Sequence, residues 1–317
     1  MKKIFDFIDL NAEIQWVIVI ILIILITATL TFQIWKKVKP SNLVDEMMLR
    51  TKSWWGMCFI FLFASLVHPI VTYLGLAFLS FFTLREIYTL LKLRDSDRTV
   101  LLACYLSIPF QYYFAFQGWY TMFLIFIPVF LFIIIPFLLV LSGDTTDIIS
   151  SMCILPTSLM LGVFGISHLG LLISFPEMNT GNISGKALLL FLIFITEAND
   201  IMQFICGKIF GKHKILPNVS PNKTWEGFIG GVICSMIIGY FMGFLTPLET
   251  LPLILISACI AILGFMGDAI ISAVKRDFGV KDMSDVIPGH GGYLDRIDSL
   301  STTSSPFFHL IYFLLLA

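Results

Sequence analysis

Apolar stretches of membrane-spanning length alternate with short polar stretches along the whole chain. They fall near residues 15–35, 54–83, 99–116, 119–141, 151–174, 187–209, 225–246, 251–274 and 301–317. About 20 apolar residues in a helix cross a hydrocarbon core of about 30 Å. The pattern predicts an all-α, polytopic integral membrane protein of about nine to ten transmembrane helices. The count turns on 54–83, which carries His68-Pro69 near its middle. Proline disfavours a straight helix there, so the stretch reads either as one crossing or as two short helices in a hairpin. The first run follows Lys2 and Lys3. It is too long for a signal-peptide core and lacks a small-x-small cleavage pattern, so it reads as the first membrane helix. No repeat or linker divides the chain. It is expected to form one membrane domain, with N-terminal helices in 1–184 and C-terminal helices carrying the polar motifs in 185–317.

Composition agrees with this pattern. Of the 317 residues, 58% are hydrophobic and 13% charged, against about 25% charged in soluble domains. The net charge of −1 predicts no nucleic-acid partner. Cys58, Cys104, Cys153, Cys206, Cys234 and Cys259 all sit in apolar runs without CxxC or zinc-ligand spacing, and read as small hydrophobes.

Charge placement orients the chain. All Lys and Arg except Lys2, Lys3 and Lys186 fall in four polar stretches, 36–53, 84–98, 207–224 and 275–300. If 54–83 is a hairpin, the four stretches share one side. Basic loops stay in the cytoplasm, so that side is expected to be cytoplasmic in the cell inner (plasma) membrane, with both termini outside. A single crossing at 54–83 would put 36–53 on the other side and weaken the bias.

Three acids interrupt apolar runs: Glu197, Asp200 and Asp268. An ionised carboxylate in a bilayer costs a few kcal/mol or more unless paired or hydrated. Glu197 and Asp200 are three residues apart and share a helix face, with Asn199 and Gln203 widening the polar patch. Their plain alternative is polar glue between helices.

The densest polar stretch is KRDFGVKDMSDVIPGHGGYLDRID, Lys275 to Asp298. It interleaves Asp277, Asp282, Asp285, Asp295 and Asp298 with Lys275, Arg276, Lys281, His290 and Arg296, and brackets His290 with Gly289, Gly291 and Gly292. Carboxylates are hard oxygen ligands for magnesium, which takes one or two of them plus phosphate and water. Lys and Arg supply charge for phosphates. The stretch therefore has the parts for metal-assisted phosphoryl chemistry; the alternative is a solvated loop. The second polar stretch, 207–227, holds Lys212, His213 and Lys214, then Ser220-Pro221-Asn222-Lys223-Thr224 leading into a helix. It lacks the Walker pattern. Lys223 and Thr224 could still hold phosphate at a helix N-terminus, or serve only as basic charge and helix cap.

These motifs, in this order, resemble the phosphatidate cytidylyltransferase (CDP-diacylglycerol synthase) family. The matching residues are Ser272, Val274, Lys275, Arg276, Lys281, Asp282, Pro288, His290, Gly291, Gly292, Asp295, Arg296 and Asp298, with SPNKTWEG upstream. Detailed similarity covers about 185–300. Ile271 stands where the family often has Glu, Tyr293 where an aliphatic residue or Phe is usual, and Gln203 and Phe204 follow Asp200 in place of Ala-Tyr. These departures mark a divergent branch.

The resemblance implies transfer from CTP to phosphatidate, giving CDP-diacylglycerol and pyrophosphate in phospholipid biosynthesis. It implies Mg2+, with room for a second cation. Asp268, Asp295 and Asp298 are the expected metal ligands. Lys275, Arg276, His290 and Arg296 are expected in the catalytic set together with Asp268 and Asp295. Ser220, Lys223, Thr224, Lys281, Asp282, Gly291, Gly292 and Asp200 are expected to bind substrate. Expected partners are CTP, phosphatidate or a similar lipid phosphate, membrane lipids and, as one possible assembly, a second copy in a homodimer. Two alternatives stand beside this: a CTP-dependent transferase acting on another lipid phosphate, and a polytopic transporter, whose key acids would lie nearer the midplane.

Overall fold

The computed structural model describes residues 12–67, 69–91, 94–174, 184–289 and 291–316. Among them the long apolar runs fold as ten helices. Lys2, Lys3, His68, Lys92 and His290, all used above, lie outside the described residues. The helices are α1 (Ala12–Val38), α2 (Asn42–Val67), α3 (Pro69–Leu90), α4 (Arg98–Phe116) and α5 (Tyr120–Leu141). They continue with α6, which starts at Ile148 and ends at Ser174, then α7 (Gly185–Phe210), α8 (Trp225–Phe241), α9 (Thr250–Asp277) and α10 (Leu294–Leu316).

Seven of these, α1, α3, α4, α5, α6, α7 and α9, are long and apolar enough to cross a membrane. The other three fall short for visible reasons. Helix α8 has 17 residues. The first half of α2 holds Asp45, Glu46, Arg50 and Lys52, and α10 opens with Asp295, Arg296 and Asp298 and then runs through the polar Ser299, Ser301, Thr302, Thr303, Ser304 and Ser305. The outward faces of the apolar helices are greasy: Phe59, Phe78, Phe137, Phe204, Ile209 and Phe241 are all exposed. Such continuous apolar surface needs a non-aqueous cover.

Two helices divide the 54–83 run, α2 ending at Val67 and α3 starting at Pro69; His68, where the break is expected, lies outside the described residues. Each helix extends well beyond that run. The Ser53 hydroxyl of α2 donates to Pro288 O at 2.8 Å. Near the far end of α3, the Glu86 carboxylate accepts the backbone N–H groups of Tyr293 and Leu294. Both feet of the α2–α3 pair therefore stand on the same polar loop.

The core lies between α4–α6 and the C-terminal helices, where Phe123, Ile135, Leu139, Leu171, Phe191, Phe307 and Phe308 are buried. Helices α7 to α10 form a packed group, most extensively α7 on α8 and α9 on α10. A turn of π-helix at Met160–Gly165 brings α6 against α10, where the Ser304 hydroxyl donates to Gly165 O at 2.6 Å.

One element departs from an all-helical reading. Lys214–Leu216 (β1) and Ser220–Thr224 (β2) pair as an antiparallel hairpin, with Lys214 opposite Thr224 and Leu216 opposite Ser220. All six cysteines are unpaired thiols.

Candidate active site

The hairpin delivers its last residues to the start of α8. Thr224 is the N-cap: its hydroxyl oxygen accepts from Gly227 N at 3.2 Å, which satisfies one of the orphan donors of a helix start. The Glu226 carboxylate turns back to accept from the backbone N–H of Lys212 and His213 and from the His213 ring. With the hairpin base closed in this way, Lys223 points toward α9.

There Lys223 Nζ lies 2.5 Å from Asp268 Oδ2 and 4.6 Å from the centre of the Phe265 ring. The ammonium sits off the directions of a hydrogen bond, so the contact is an ion pair over an aromatic face. One turn on, the Ser272 hydroxyl donates to Asp268 Oδ1 at 3.0 Å. From α10 the Ser299 hydroxyl donates to Asp200 Oδ2, also at 3.0 Å. A cavity of about 150 Å³ opens between these elements, lined by Asp200, Gln203, Asn222, Lys223, Thr224 and Asp268, with Phe204, Phe228 and Phe265 as apolar walls. Two expected metal and substrate carboxylates thus meet two expected phosphate-binding residues from a distant loop.

Asp298 lies within electrostatic reach of Asp200, Asp268 and Lys275. Arg296 acts on both Glu197 and Asp200. The side-chain Nε of Arg296 and Nε2 of Gln203 are buried without hydrogen-bond partners. Buried donors in that condition are costly and call for a partner. An anionic ligand beside Arg296 would supply one.

Asp295 has a different neighbourhood. Its Oδ1 accepts from Lys275 Nζ at 2.8 Å, and its Oδ2 from Met283 N at 2.7 Å and Gly292 N at 2.9 Å. The pair is buried, with side-chain exposures of 11% for Lys275 and 2% for Asp295. A carboxylate offers about four lone-pair sites, so three of them already fasten the 283–292 loop to α9 and α10. Gly291 adopts φ 79°, a conformation open to glycine, and closes the turn through Ile287 N donating to Gly291 O at 2.9 Å.

Other expected residues fall elsewhere. The Arg276 guanidinium donates to Val219 O at 3.1 Å and Val280 O at 3.2 Å, tying the hairpin turn to the end of α9. Lys281 and Asp282 are exposed on the loop, and Ser220 opens β2. His290 is outside the described residues.

Glu86 is a residue the sequence reading missed. It is buried, on α3, and its carboxylate accepts from the Ser284 hydroxyl at 2.6 Å, Tyr293 N at 2.8 Å and Leu294 N at 2.9 Å. Its signal was faint: it is the only acid between Pro69 and Leu91.

For magnesium, the donor set is chemically suitable. Asp200, Asp268 and Asp298 offer hard carboxylate oxygens, and the ion needs only one or two beside phosphate and water. Among the described residues no three Asp, Glu, His or Cys side chains already form a closed metal cage.

Comparison with known proteins supplies the family. The sequence profile of the cytidylyltransferase family matches residues 48–315. The chain is 40% identical over 292 residues to the Escherichia coli K12 protein named uncharacterized protein YnbB, covering 92% of this chain and 95% of that one. It is 44% identical over 117 residues to the phosphatidate cytidylyltransferase of Staphylococcus haemolyticus, and 41% over 138 residues to that of Haemophilus influenzae. Those two alignments span 36% and 42% of this chain and only 45% and 48% of the respective enzymes.

Proposed function

Because this chain belongs to the cytidylyltransferase family, we propose that it transfers the cytidylyl group of CTP to a lipid phosphate, phosphatidate first, at the cytoplasmic face of a membrane. One observation carries the reading. The Lys223–Asp268 pair joins the SPNKT segment to α9 at a cavity that Asp200 also lines. Three segments far apart in sequence thus present cations and carboxylates to one small space.

In the proposed reaction a lipid phosphate oxygen attacks the α-phosphorus of CTP. The bond from that phosphorus to the bridging oxygen breaks, and pyrophosphate leaves. Phosphatidate is already an anion at neutral pH, so no general base is required. The protein's task is alignment and charge neutralisation. Lys223 and Arg296 would bind phosphate oxygens. Lys275 acts through Asp295, holding the 283–292 loop, and Arg276 holds the hairpin turn against α9. Magnesium, when bound, would neutralise the triphosphate; Asp268 and Asp200 line the cavity and Asp298 lies within electrostatic reach of both, with Asp295 retaining one spare lone-pair site.

A second reading keeps CTP and changes the lipid. Gln203, with its unpartnered buried amide, stands at the cavity where the resemblance leads one to expect alanine, and so favours a different headgroup or acceptor.

The test uses purified protein in native-like lipid with labelled CTP and a panel of lipid phosphates, with and without magnesium. CDP-lipid and pyrophosphate should appear together and require magnesium. If neither forms with any lipid while an established phosphatidate cytidylyltransferase turns over alongside, the enzymatic reading fails and a transporter assay takes its place.

A further inference from the structure

We infer that Glu86, in the N-terminal half of the chain, is a positioning residue for the site, acting through the first turn of α10. The inference rests on the proposed reaction for its consequence, and on geometry for its cause.

Two carboxylates grip the polar loop from opposite ends. Asp295 binds Met283 N and Gly292 N from within the signature. Glu86 reaches in from α3 and binds the next two N–H groups, Tyr293 and Leu294, together with the Ser284 hydroxyl. The N–H groups at a helix start lack intrahelical acceptors, and a negative charge beside them is favoured by the helix dipole. Glu86 is thus a cap supplied from another helix, more than 200 residues away in sequence.

The contact is built rather than incidental. One turn earlier on α3, the Phe82 ring stacks on Tyr293 with centroids 4.8 Å apart and planes 13° from parallel. Gly292 passes so close that a Cβ there would lie 2.5 Å from Glu86 Oε1. Leu84, between the two contacts, is fully buried. The consequence lies two and four residues past Leu294. Arg296 and Asp298 are carried by the turn that Glu86 caps, and both act on Asp200 at the cavity. Glu86 touches no group expected to react; it fixes the direction in which those two residues leave the helix.

The experiment compares wild type, Glu86→Gln, Glu86→Asp and Ser284→Ala in native-like lipid, with three readouts. Hydrogen exchange should quicken roughly tenfold in Glu86→Gln at whichever of the Tyr293 and Leu294 amides faces the new nitrogen, because the amide nitrogen cannot accept a hydrogen bond. In turnover, kcat should fall roughly tenfold with KM for CTP within about twofold, as expected of misaligned rather than missing groups. The folded fraction, read by size-exclusion profile and thermal unfolding, should stay near wild type. Glu86→Asp, which keeps the charge on a shorter arm, should recover part of kcat. Ser284→Ala removes one donor and keeps the carboxylate; it should move exchange and kcat mildly in the same direction, and it serves if Glu86→Gln does not accumulate. Wild-type exchange in the variants, or a loss of kcat matched by loss of folded protein, overturns the inference. A wild type that forms no CDP-lipid at all sinks the functional reading instead, and exchange alone then decides whether the clamp exists.

Discussion

Lys223 and Asp268, 45 positions apart, meet as an ion pair at 2.5 Å above the face of Phe265. Both ends are partly screened from water: their side chains are 14% and 31% exposed. Each would leave the other as an uncompensated charge in an apolar setting if removed. In the proposed reaction both also serve the triphosphate, one as a cation for phosphate and one as a metal ligand. Lys223→Ala should therefore lose about 2 kcal/mol of transition-state stabilisation, roughly 30-fold in kcat/KM. Asp268→Asn should lose more and should shift the magnesium dependence upward. The double variant should be far from additive, since the two groups act as a unit. Steady-state kinetics over a magnesium titration measures all three; near-wild-type turnover in Asp268→Asn would remove that carboxylate from the metal site.

Lys275 and Asp295 should behave differently, because their pair is buried and holds a loop. Lys275→Ala leaves a nearly fully buried carboxylate unpaired. Breaking a buried pair costs about 3–5 kcal/mol, which should appear as a clear drop in thermal unfolding temperature. Asp295→Asn should lose turnover together with protection of the loop from protease. Asp268→Asn should lose turnover with the loop still protected. If Asp295→Asn leaves the loop as resistant as wild type, the loop-holding role fails and a purely metal-binding role replaces it.

Two glycines on the same loop should separate space from backbone strain. Gly279 has φ 70° and nothing within 4 Å of where a Cβ would sit, whereas a Cβ on Gly292 would press on both Glu86 carboxylate oxygens. Gly279→Ala should cost about 1 kcal/mol through backbone strain alone, with turnover near wild type. Gly292→Ala should cost about 1–3 kcal/mol by overpacking and should reproduce the kinetic defect of Glu86→Gln. Thermal unfolding and kcat for the two alanines provide the check.

How far the sequence foretold this site depends on where each residue sits. Asp200 and Asp268 stood out because a carboxylate in an apolar run needs an explanation, and both do line the cavity. Lys223 and Thr224 were placed by the turn into α8, which the structure keeps. The hairpin around them was not legible: Ser220–Thr224 includes Pro221 and lacks the alternation that marks a strand. Arg276 reads as a phosphate ligand from its charge, yet its reach to Val219 O depends on that same hairpin. Glu86 was hidden for another reason. A single acid at the end of an apolar helix has the look of an interfacial charge, and only the fold of α10 reveals which N–H groups it meets. The fold class followed from length and hydropathy, which are local properties; the Glu86 clamp did not, because it joins segments more than 200 residues apart.

The last prediction concerns which side each polar stretch faces. Ser53 and Glu86 bond to the same loop, Ser53 to Pro288 O and Glu86 to Tyr293 N and Leu294 N. Between them the chain runs out along α2, which ends at Val67, and returns along α3, which starts at Pro69. Fifteen helical residues from Ser53 to Val67 span about 22 Å, and the return to Glu86 is of similar length at about 1.5 Å per residue. The two feet therefore lie at the same end of the helix pair, and the basic stretches 36–53 and 84–98 should share one face of the membrane with 207–224 and 275–300. In a cysteine-free background, cysteines replacing the exposed residues Lys39, Arg98, Lys212 and Lys281 should resist an impermeant thiol reagent in intact cells and react once the cells are opened. Cysteines replacing Gln117, between α4 and α5, and Glu249, before α9, should react from outside. Labelling of Lys39→Cys from outside with Arg98→Cys protected would place a full crossing between them, and the shared footing of α2 and α3 on the polar loop could not then be the arrangement in the membrane.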